Sequence, residues 1–481
     1  MGTIGDGSAR LAALRAALGA LNAGRFGEAA GLAGRYARGD DVEVGLLYAL
    51  GLGGAGRIGE AAGRLDAVAH ARPGHAHPVR DLAQLLRRQG RTDDAAEAVR
   101  AALALRPADP GLGALLAELG DMAGALACFE AVAAARPGDA AAWTNLGKAL
   151  AAEGRFDDAE AAHARAVALD RGAQFRVNQA MTLLKAGRFR EGAAAWQARH
   201  ERPCAPALPP GPRLDLARAV AGRTVLLVHE EGFGDTVMLI RYAALLAQRG
   251  ARVVAHVPQP LARLVATAPG LAEVALMGGP LPGYDAVAPM LDLPAVFGAG
   301  PEAIPASVPY LGADPAAVAR WDARLADRPG LRVGLVWAGA AREHDPAARA
   351  TDTLRSLERA LMAPLVAVPR TAAVSLQMGV PPLPGTPDLM REMRDFLDTA
   401  ALVAALDVVV SVDTAVAHLA GALGCPVILL DRYDNCWRWG HGREETPWYP
   451  GMRIVRQGRP GDWAPVIARA AAMVAALAGQ R

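Results

Sequence analysis

The chain has 481 residues, of which 52% are hydrophobic and 21% are charged, so disorder is excluded as its main state and several folded domains are expected. Its 51 basic and 49 acidic residues leave a formal charge of +2, which excludes nucleic-acid binding through a strongly basic surface. The four cysteines show no CxxC spacing and indicate neither a disulfide framework nor a zinc site.

A short glycine-containing pattern recurs along the first 200 residues. Its glycines lie 30 to 34 residues apart, at Gly24, Gly56, Gly90, Gly120, Gly154 and Gly187. This period is typical of stacked helix–turn–helix units, and glycine accepts the positive φ that ends a helix. We therefore expect six helical hairpins in a solenoid over residues 1–202.

The unit at residues 140–173 shows the repeat most clearly. It carries Trp143, Leu146, Gly147, Leu150, Ala159 and Ala166. These positions resemble the consensus of the tetratricopeptide repeat (TPR), in which small residues let paired helices approach closely. Such an array offers a groove for a protein or peptide, or it serves as a spacer or dimerisation module.

Two blocks of alternating strands and helices follow the repeats. Residues 203–213 contain five prolines and predict a stiff linker. Strands are expected near residues 224–229, 252–257, 273–276 and 284–287, and then near 331–337, 373–376, 407–412, 426–430 and 453–456. We predict two parallel α/β lobes, at residues 214–325 and 326–481, with ligands at the carboxyl ends of their strands. A last helix near residues 463–477 is expected to cross back over the first lobe.

The most apolar stretch bears on localisation. Residues 401–430 are interrupted by Asp407, Asp413 and His418, so they predict a buried strand–helix–strand instead of a transmembrane segment. The N-terminus lacks a basic segment followed by an apolar block, which argues against a signal peptide. We therefore expect a cytoplasmic protein.

The first candidate site is the segment 230–236, between the first strand and a helix. It is not a dinucleotide fingerprint, because the third glycine is missing and no acidic residue ends the second strand. Asp235 either caps the helix or points into a cleft as a general base. Asp235 is therefore the candidate catalytic residue, and Glu231, Gly232 and Gly234 are candidate acceptor or sugar contacts.

The second candidate site is the segment 411–418, again between a strand and a helix. Asp413 or Thr414 is expected to cap the helix, and the N–H groups that follow, beginning at Ala415, suit a diphosphate. His418 lies one turn further on the same face. The alternative is an ordinary capped helix with a core histidine.

Two further segments contain arginine. In the loop at residues 337–344, Gly339 permits close backbone approach and Arg342 can reach a phosphate, although a solvated loop fits equally well. Trp437 and Arg438 belong to an aromatic cluster that suits stacking on a sugar or base, or a core that closes the lobes. No Asp-x-Asp motif and no histidine–carboxylate cluster occurs, so no metal is expected.

Together the segments resemble TPR-containing bacterial glycosyltransferases related to the ADP-heptose:lipopolysaccharide heptosyltransferases, glycosyltransferase family 9. The similarity covers most of residues 224–457, through residues 231–236, 241–242, 333–339, 374–377, 395–400, 413–424 and 448–450. Residues 340–349 depart from the family pattern, which usually has a lysine or a polar stretch there. Arg342 or Arg349 can substitute.

The resemblance implies an α-helical TPR solenoid followed by a GT-B fold of two Rossmann-like lobes. It implies inverting, metal-independent transfer with Asp235 as the base. The implied donor-binding residues are Gly339, Arg342, Gln377, Asp413, Thr414, Ala415 and His418.

The leading hypothesis is a glycosyltransferase whose repeats present a protein or glycan acceptor to the cleft. The nucleotide-sugar is then a co-substrate, no cofactor or nucleic acid is required, and homo-oligomerisation is compatible with the repeats. The first alternative is a catalytically inactive TPR scaffold with a relic or nucleotide-sensing GT-B domain. A third is a nucleotide-sugar epimerase, whose additional acid and base groups are not identifiable.

Overall fold

The computed structural model describes residues 4–37, 41–71, 78–298, 300–305, 307–339 and 346–480. The chain divides into two compact units, Met1–Arg171 and Gly172–Arg481. The division falls inside the predicted repeat region, and the domain limits at residues 202, 213 and 325 stay predictions.

The described part of the first unit is helical. Its helices are α1 (Ile4–Asn22), α2 (Phe26–Gly34), α3 (Val42–Gly54), α4 (Ile58–Ala71), α5 (Pro78–Arg88), α6 (Thr92–Leu105), α7 (Pro110–Glu118), α8 (Met122–Ala135), α9 (Ala140–Ala152) and α10 (Phe156–Leu169). Each helix packs on the next. Gly154, between α9 and α10, has a φ of 74°, as the repeat pattern predicts. At Gly147 a Cβ atom would lie 2.7 Å from His163 Nε2, so glycine is needed for the close contact of α9 with α10.

The second unit starts with a helical hairpin and continues with α/β structure. The hairpin consists of α11 (Ala173–Lys185) and α12 (Phe189–Trp196), followed by the 3₁₀ helix Gln197–Glu201. The later helices are α13 (Phe233–Leu239), α14 (Tyr242–Gln248), α15 (Gln259–Val265), α16 (Leu293–Val296), α17 (Pro315–Leu325), α18 (Pro346–Arg355), α19 (Ala363–Val366), α20 (Phe396–Ala404), α21 (Ala415–Ala422) and α22 (Ala464–Gly479). Short 3₁₀ helices lie at Met290–Asp292, Pro301–Ala303, Arg359–Met362, Met390–Glu392 and Trp437–Trp439.

Within the described residues, nine strands form two parallel sheets. They are β1 (Thr224–Val228), β2 (Arg252–Val257), β3 (Leu271–Leu276), β4 (Ala286–Pro289), β5 (Leu331–Val336), β6 (Thr371–Ser375), β7 (Val408–Val412), β8 (Val427–Asp431) and β9 (Met452–Arg456). The first sheet has the order β3-β2-β1-β4 and the second β6-β5-β7-β8-β9. Every predicted strand is present, and the parts built on the two sheets are the first and second lobes. A TPR-like helical region followed by parallel α/β lobes confirms the predicted fold class.

The register aligns the strand ends that precede the candidate sites. Val228, the last residue of β1, pairs with His256 of β2 and Pro289 of β4. Val412, the last residue of β7, pairs with Leu430 of β8. The loops that carry chemistry therefore leave each sheet at one edge.

The lobes share a buried core through α13 and α21. Val237 of α13 and Ala417 of α21 are fully buried in the same apolar cluster. A Cβ atom at Gly234 would lie 2.6 Å from His418 Cδ2, closer than any normal contact. Gly234, predicted as an acceptor contact, therefore lies where the helix that follows β1 meets the helix that follows β7.

The position of α22 corrects one expectation. The sequence predicts that the last helix crosses back over the first lobe, but α22 packs on β8 and β9 of the second. Its apolar residues Val466, Ile467 and Val474 are buried in the core of the second sheet. Because the second sheet already covers its apolar face, the helix has no hydrophobic surface left to bury on the first lobe.

Candidate functional site

The loop that carries Asp235 follows the carboxyl end of β1. Within it Glu231 adopts a left-handed backbone conformation, with a φ of 53°, which costs a residue with a side chain about 1–2 kcal/mol. Gly232 is the N-cap of α13, and its backbone N–H donates to Asp235 Oδ2 at 3.1 Å. Asp235 therefore takes part in capping α13, one of the two roles that the sequence leaves open.

The other carboxylate oxygen of Asp235 faces the second lobe. It accepts a hydrogen bond from Arg438 Nη2, in an ion pair whose side chains are 13% and 15% exposed. The Arg438 guanidinium also donates to Cys436 Sγ at 2.8 Å and lies 4.8 Å from the Trp437 ring centre. Burial lowers the pKa of Arg438, but Asp235, Cys436 and Asp413 together outweigh this effect and the pKa lies above its ordinary value. The guanidinium is therefore a permanent cation at this position.

The first turn of α21 lies where the sequence predicts an anion site. Thr414 is the N-cap, but its side chain does not cap the helix, because Thr414 Oγ1 lies 3.1 Å from Ser411 Oγ. This corrects the expected side-chain cap from Thr414. Residues 413–416 are half-buried, so the turn remains open to the outside. The N–H groups of such a helix start can bind an anion.

His418 is buried and uncharged. It is 4% exposed, its Nδ1 lies 2.9 Å from Tyr449 Oη, and its ring stacks on Trp439 with 5.1 Å between the centres. Its Nε2 lies 3.9 Å from Asp413 Oδ1. Burial lowers the pKa of His418 to about 4, so the imidazole is neutral at pH 7. It therefore holds the start of α21 in place without giving positive charge to a phosphate.

The loop after β5 is held by side chains of the second lobe. Gln377 Oε1 accepts hydrogen bonds from the backbone N–H groups of Trp337 and Ala338, at 3.2 and 2.9 Å. Gln377 Nε2 donates to the Ala338 carbonyl at 3.0 Å. The Gly339 N–H donates to Ser356 Oγ at 3.1 Å. Both the oxygen and the nitrogen of the Gln377 side-chain amide are thus hydrogen-bonded to the loop.

Arg355 brings a second positive charge to the start of α21. Its Nη1 donates to the Asp413 carbonyl at 2.9 Å, and its Nη2 pairs with Asp352 Oδ1 at 2.5 Å. A Cβ atom on Gly339 would lie 2.5 Å from this guanidinium. Arg342, the arginine predicted for this role, lies outside the described residues. Motif analysis missed Arg355 because nothing in its local sequence distinguishes it from neighbouring arginines.

The predicted acceptor contacts differ in exposure. Glu231 is partly exposed, and its Oε1 accepts a hydrogen bond from Arg202 Nη2 at 3.2 Å. Trp437 is 6% exposed and belongs to the core shared by the lobes, which favours the second of the two roles that the sequence leaves open. It also lines an apolar pocket with Phe189 and Trp196.

A buried cluster of charges adjoins the Asp235 loop. Arg199 Nη2 contacts Glu230 Oε2 at 2.9 Å and Asp292 Oδ1 at 2.6 Å. Burial raises the pKa of Glu230, although Arg199 opposes this. Burial would also raise the pKa of Asp292, but the interactions with His200 and Arg199 have the larger combined effect, so this pKa lies below its ordinary value. Sequence analysis missed the cluster, and the available signal was a glutamate directly after an apolar strand.

Arg241 connects the two lobes by hydrogen bonds. It is 2% exposed and donates to Tyr310 Oη at 2.7 Å, to the Trp448 carbonyl at 2.9 Å and to the Pro305 carbonyl at 3.1 Å. Its guanidinium lies 5.0 Å from the centre of the Tyr449 ring. The motif at residues 241–242 therefore fixes the lobes beside the site, a role that the motif itself did not reveal.

The described residues contain neither a metal-binding cluster nor a membrane-spanning helix. Within the described ranges, no three His, Cys, Asp or Glu side chains are grouped so that they could hold a metal ion. In the same part of the chain, no helix combines the length and apolar character needed to cross a membrane.

Comparison with known proteins identifies two kinds of domain. The tetratricopeptide repeat family matches residues 54–119 and 116–184, and glycosyltransferase family 9 (heptosyltransferase) matches residues 393–460. Protein FlbA of Caulobacter vibrioides is 27% identical over 452 residues, which cover 83% of this chain and 73% of that protein.

Among solved structures, a family 9 glycosyl transferase from Veillonella parvula matches with a TM-score of 0.36 and 10% identity, over 50% of this chain and 87% of that one. YrrB, described as a TPR protein with an unusual peptide-binding site, matches with a TM-score of 0.24 and 18% identity. That match covers 34% of this chain and 87% of YrrB.

Proposed function

We propose that this chain, which contains TPR repeats and a glycosyltransferase family 9 domain, is a metal-independent, inverting glycosyltransferase of the GT-B type. The observation that supports this most strongly is the ion pair between Asp235 and Arg438, one from each lobe. Both groups act electrostatically on His418 in α21, and Arg438 also interacts with Asp413 just before this helix. A carboxylate, an arginine and a helix N-terminus are the groups that glycosyl transfer from a diphosphate requires.

The donor in this proposal is a nucleotide-sugar whose diphosphate binds at the first turn of α21. The uncapped N–H groups of that turn donate to phosphate oxygens, and the helix dipole favours the negative charge. Arg438 and Arg355 add two cations at the same place, and arginine suits phosphate because its N–H groups form a planar fork. These groups also stabilise the charge that develops on the leaving diphosphate.

The base in this proposal is Asp235. When the donor binds, Arg438 turns from the Asp235 carboxylate to the diphosphate, and Asp235 Oδ1 becomes free to accept a proton. An acceptor hydroxyl then gives its proton to Asp235 while its oxygen bonds to the anomeric carbon. The bond from that carbon to the phosphate oxygen breaks, the nucleoside diphosphate leaves with the electron pair, and the configuration inverts.

The acceptor in this proposal is a protein or glycan that the repeats bind. TPR helices commonly provide surfaces for other proteins, and a separate recognition surface lets one transferase site act on a large substrate.

A catalytically inactive TPR scaffold is the second candidate function. It is favoured by one observation, since both carboxylate oxygens of Asp235 already have hydrogen-bond partners. Such pairing is sufficient for a structural role. The transferase requires, in addition, that donor binding releases the Arg438 partner.

Calorimetry with a panel of ADP-, GDP-, UDP- and CMP-sugars separates the two candidates. The transferase predicts binding of at least one donor, and Arg438→Met weakens that binding by about 10- to 150-fold, as expected for a hydrogen bond to a charged group. Arg453→Met is the matched control, because Arg453 forms an exposed pair with Glu445 near the same segment. Absence of binding by every donor contradicts the transferase and supports the scaffold.

A further inference from the structure

Side chains from the segment after α12 hold the first two residues of the Asp235 loop. Arg199, from the 3₁₀ helix Gln197–Glu201, is 2% exposed and contacts Glu230 at 2.9 Å. Glu230 lies two residues after the end of β1, and Asp292 lies three residues after the end of β4. One arginine thus binds the carboxylates at the ends of two neighbouring strands.

Apart from His200, the cluster contains two carboxylates and one arginine, so its negative charges outnumber its positive charge. Arg199 faces two carboxylates, Glu230 and Asp292, and His200 Nε2 lies 3.2 Å from Asp292 Oδ2. Gln197 Nε2 donates to Asp292 Oδ1 at 3.0 Å. Removal of Arg199 would leave two buried carboxylates close together, and buried carboxylates without a cation are strongly unfavourable. The position of the loop therefore depends on this segment.

A second arginine holds the strained residue of the loop. Arg202 Nη2 donates to Glu231 Oε1 at 3.2 Å, and Arg202 Nε donates to the Arg199 carbonyl at 3.3 Å. Glu231 has a φ of 53°, a conformation that a residue with a side chain keeps only when its surroundings enforce it. Gly232, the next residue, gives its N–H to Asp235. The chain of contacts from Arg202 to Asp235 is therefore continuous.

We propose that Arg199 and Arg202 are positioning residues, which hold Glu230 and Glu231 so that Asp235 faces the second lobe. The segment after α12 is then part of the transferase site, although the sequence assigns it to the repeats. The effect on turnover rests on the proposed function. The effect on the loop itself does not, and the two are measured separately.

The test uses the full chain with Arg202→Met, because the Arg202–Glu231 pair is partly exposed and we expect its loss to leave the fold intact. Hydrogen–deuterium exchange of the peptide spanning residues 229–236 is expected to rise by about fivefold, as for loss of one exposed ion pair. Turnover is expected to fall by about tenfold with an unchanged KM for the donor, because the base is misplaced while the α21 site is intact. Arg202→Lys should restore part of both.

A second pair of variants tests the mechanism of the effect. Glycine adopts a positive φ without strain, so in a Glu231→Gly background Arg202→Met should no longer raise the exchange of residues 229–236. Arg176→Met is the matched control, since Arg176 pairs with Glu201 of the same segment at the surface. Arg199→Met should raise the exchange of residues 229–236 further than Arg202→Met does. If the Arg199→Met variant does not fold, the Arg202 variants are sufficient to test the positioning role.

Unchanged exchange in Arg202→Met, or an equal rise in Arg176→Met, overturns the positioning role. A rise in exchange without a fall in turnover overturns it as well. If the wild-type chain binds and transfers no sugar while the exchange results are as expected, the proposed function fails and the inference about the loop stands.

Discussion

Replacing Gly234 by alanine tests the contact between α13 and α21, on which the geometry of the site depends. The new Cβ atom would lie 2.6 Å from His418 Cδ2, where carbon atoms normally stay more than 3.4 Å apart. The His418 ring has little freedom to move, because it is hydrogen-bonded to Tyr449 and stacked on Trp439. Forcing extra volume into such a core costs about 1–3 kcal/mol.

A double-mutant cycle isolates this cost. Alanine also gains up to about 1 kcal/mol of helix propensity over glycine, which would mask part of the clash in the single variant. In a His418→Ala background the space is open, so Gly234→Ala should be neutral or slightly stabilising. The expected coupling between positions 234 and 418 is therefore about 1–3 kcal/mol.

Urea unfolding followed by tryptophan fluorescence measures the cycle. Seven of the eight tryptophans lie in Gly172–Arg481 and report on this unit, the exception being Trp143. Gly458→Ala is the control, because no atom lies within 4 Å of its added Cβ. A coupling energy below about 0.5 kcal/mol would show that the two helices do not pack as closely as described.

Two further predictions concern the second lobe. Gly339→Ala should displace the Arg355 guanidinium, because the added Cβ would approach it to 2.5 Å. Donor binding measured by calorimetry should then weaken about tenfold, as much as in Arg355→Met, with little change in stability. Donor binding by Gly339→Ala at wild-type strength would argue against a role of Arg355. His418 has a pKa of about 4 in the folded chain against about 6.5 unfolded, so the native state loses about 3 kcal/mol from this group as the pH falls from 6.5 to 4. His418→Gln should therefore unfold with a flatter dependence on pH in this range, and an unchanged slope would contradict the buried neutral state.

The helices and strands could be predicted because their signals are local. The period of about 34 residues marks the helical hairpins, and short apolar runs mark the strands, more weakly at β3 and β4. The loop at Asp235 and the turn at Thr414 could be found for the same reason, since each is a short motif between a strand and a helix. The rule that ligands bind at the carboxyl ends of parallel strands places each motif at one edge of its own sheet, whereas their proximity across the lobes was implied only by the resemblance to family 9 glycosyltransferases.

The contacts that complete the site could not be predicted, because they join distant parts of the chain. Arg199 reaches Asp292, Arg241 reaches the Trp448 carbonyl, and Arg355 reaches the Asp413 carbonyl. The chain has many arginines, and only the folded structure determines which of them meets which partner. The placement of α22 was wrong for a related reason, since its apolar face fits either sheet and tertiary packing selects one.

The most direct test of the account is Asp235→Asn in the full chain. Asparagine still accepts the Gly232 hydrogen bond but has no negative charge for Arg438 and takes up no proton from an acceptor. We expect calorimetric affinity for the nucleotide-sugar donor at or above the wild-type level, and a transfer rate lower by about 10²- to 10⁴-fold. Transfer at the wild-type rate would show that Asp235 only caps α13, and the proposed mechanism would be wrong.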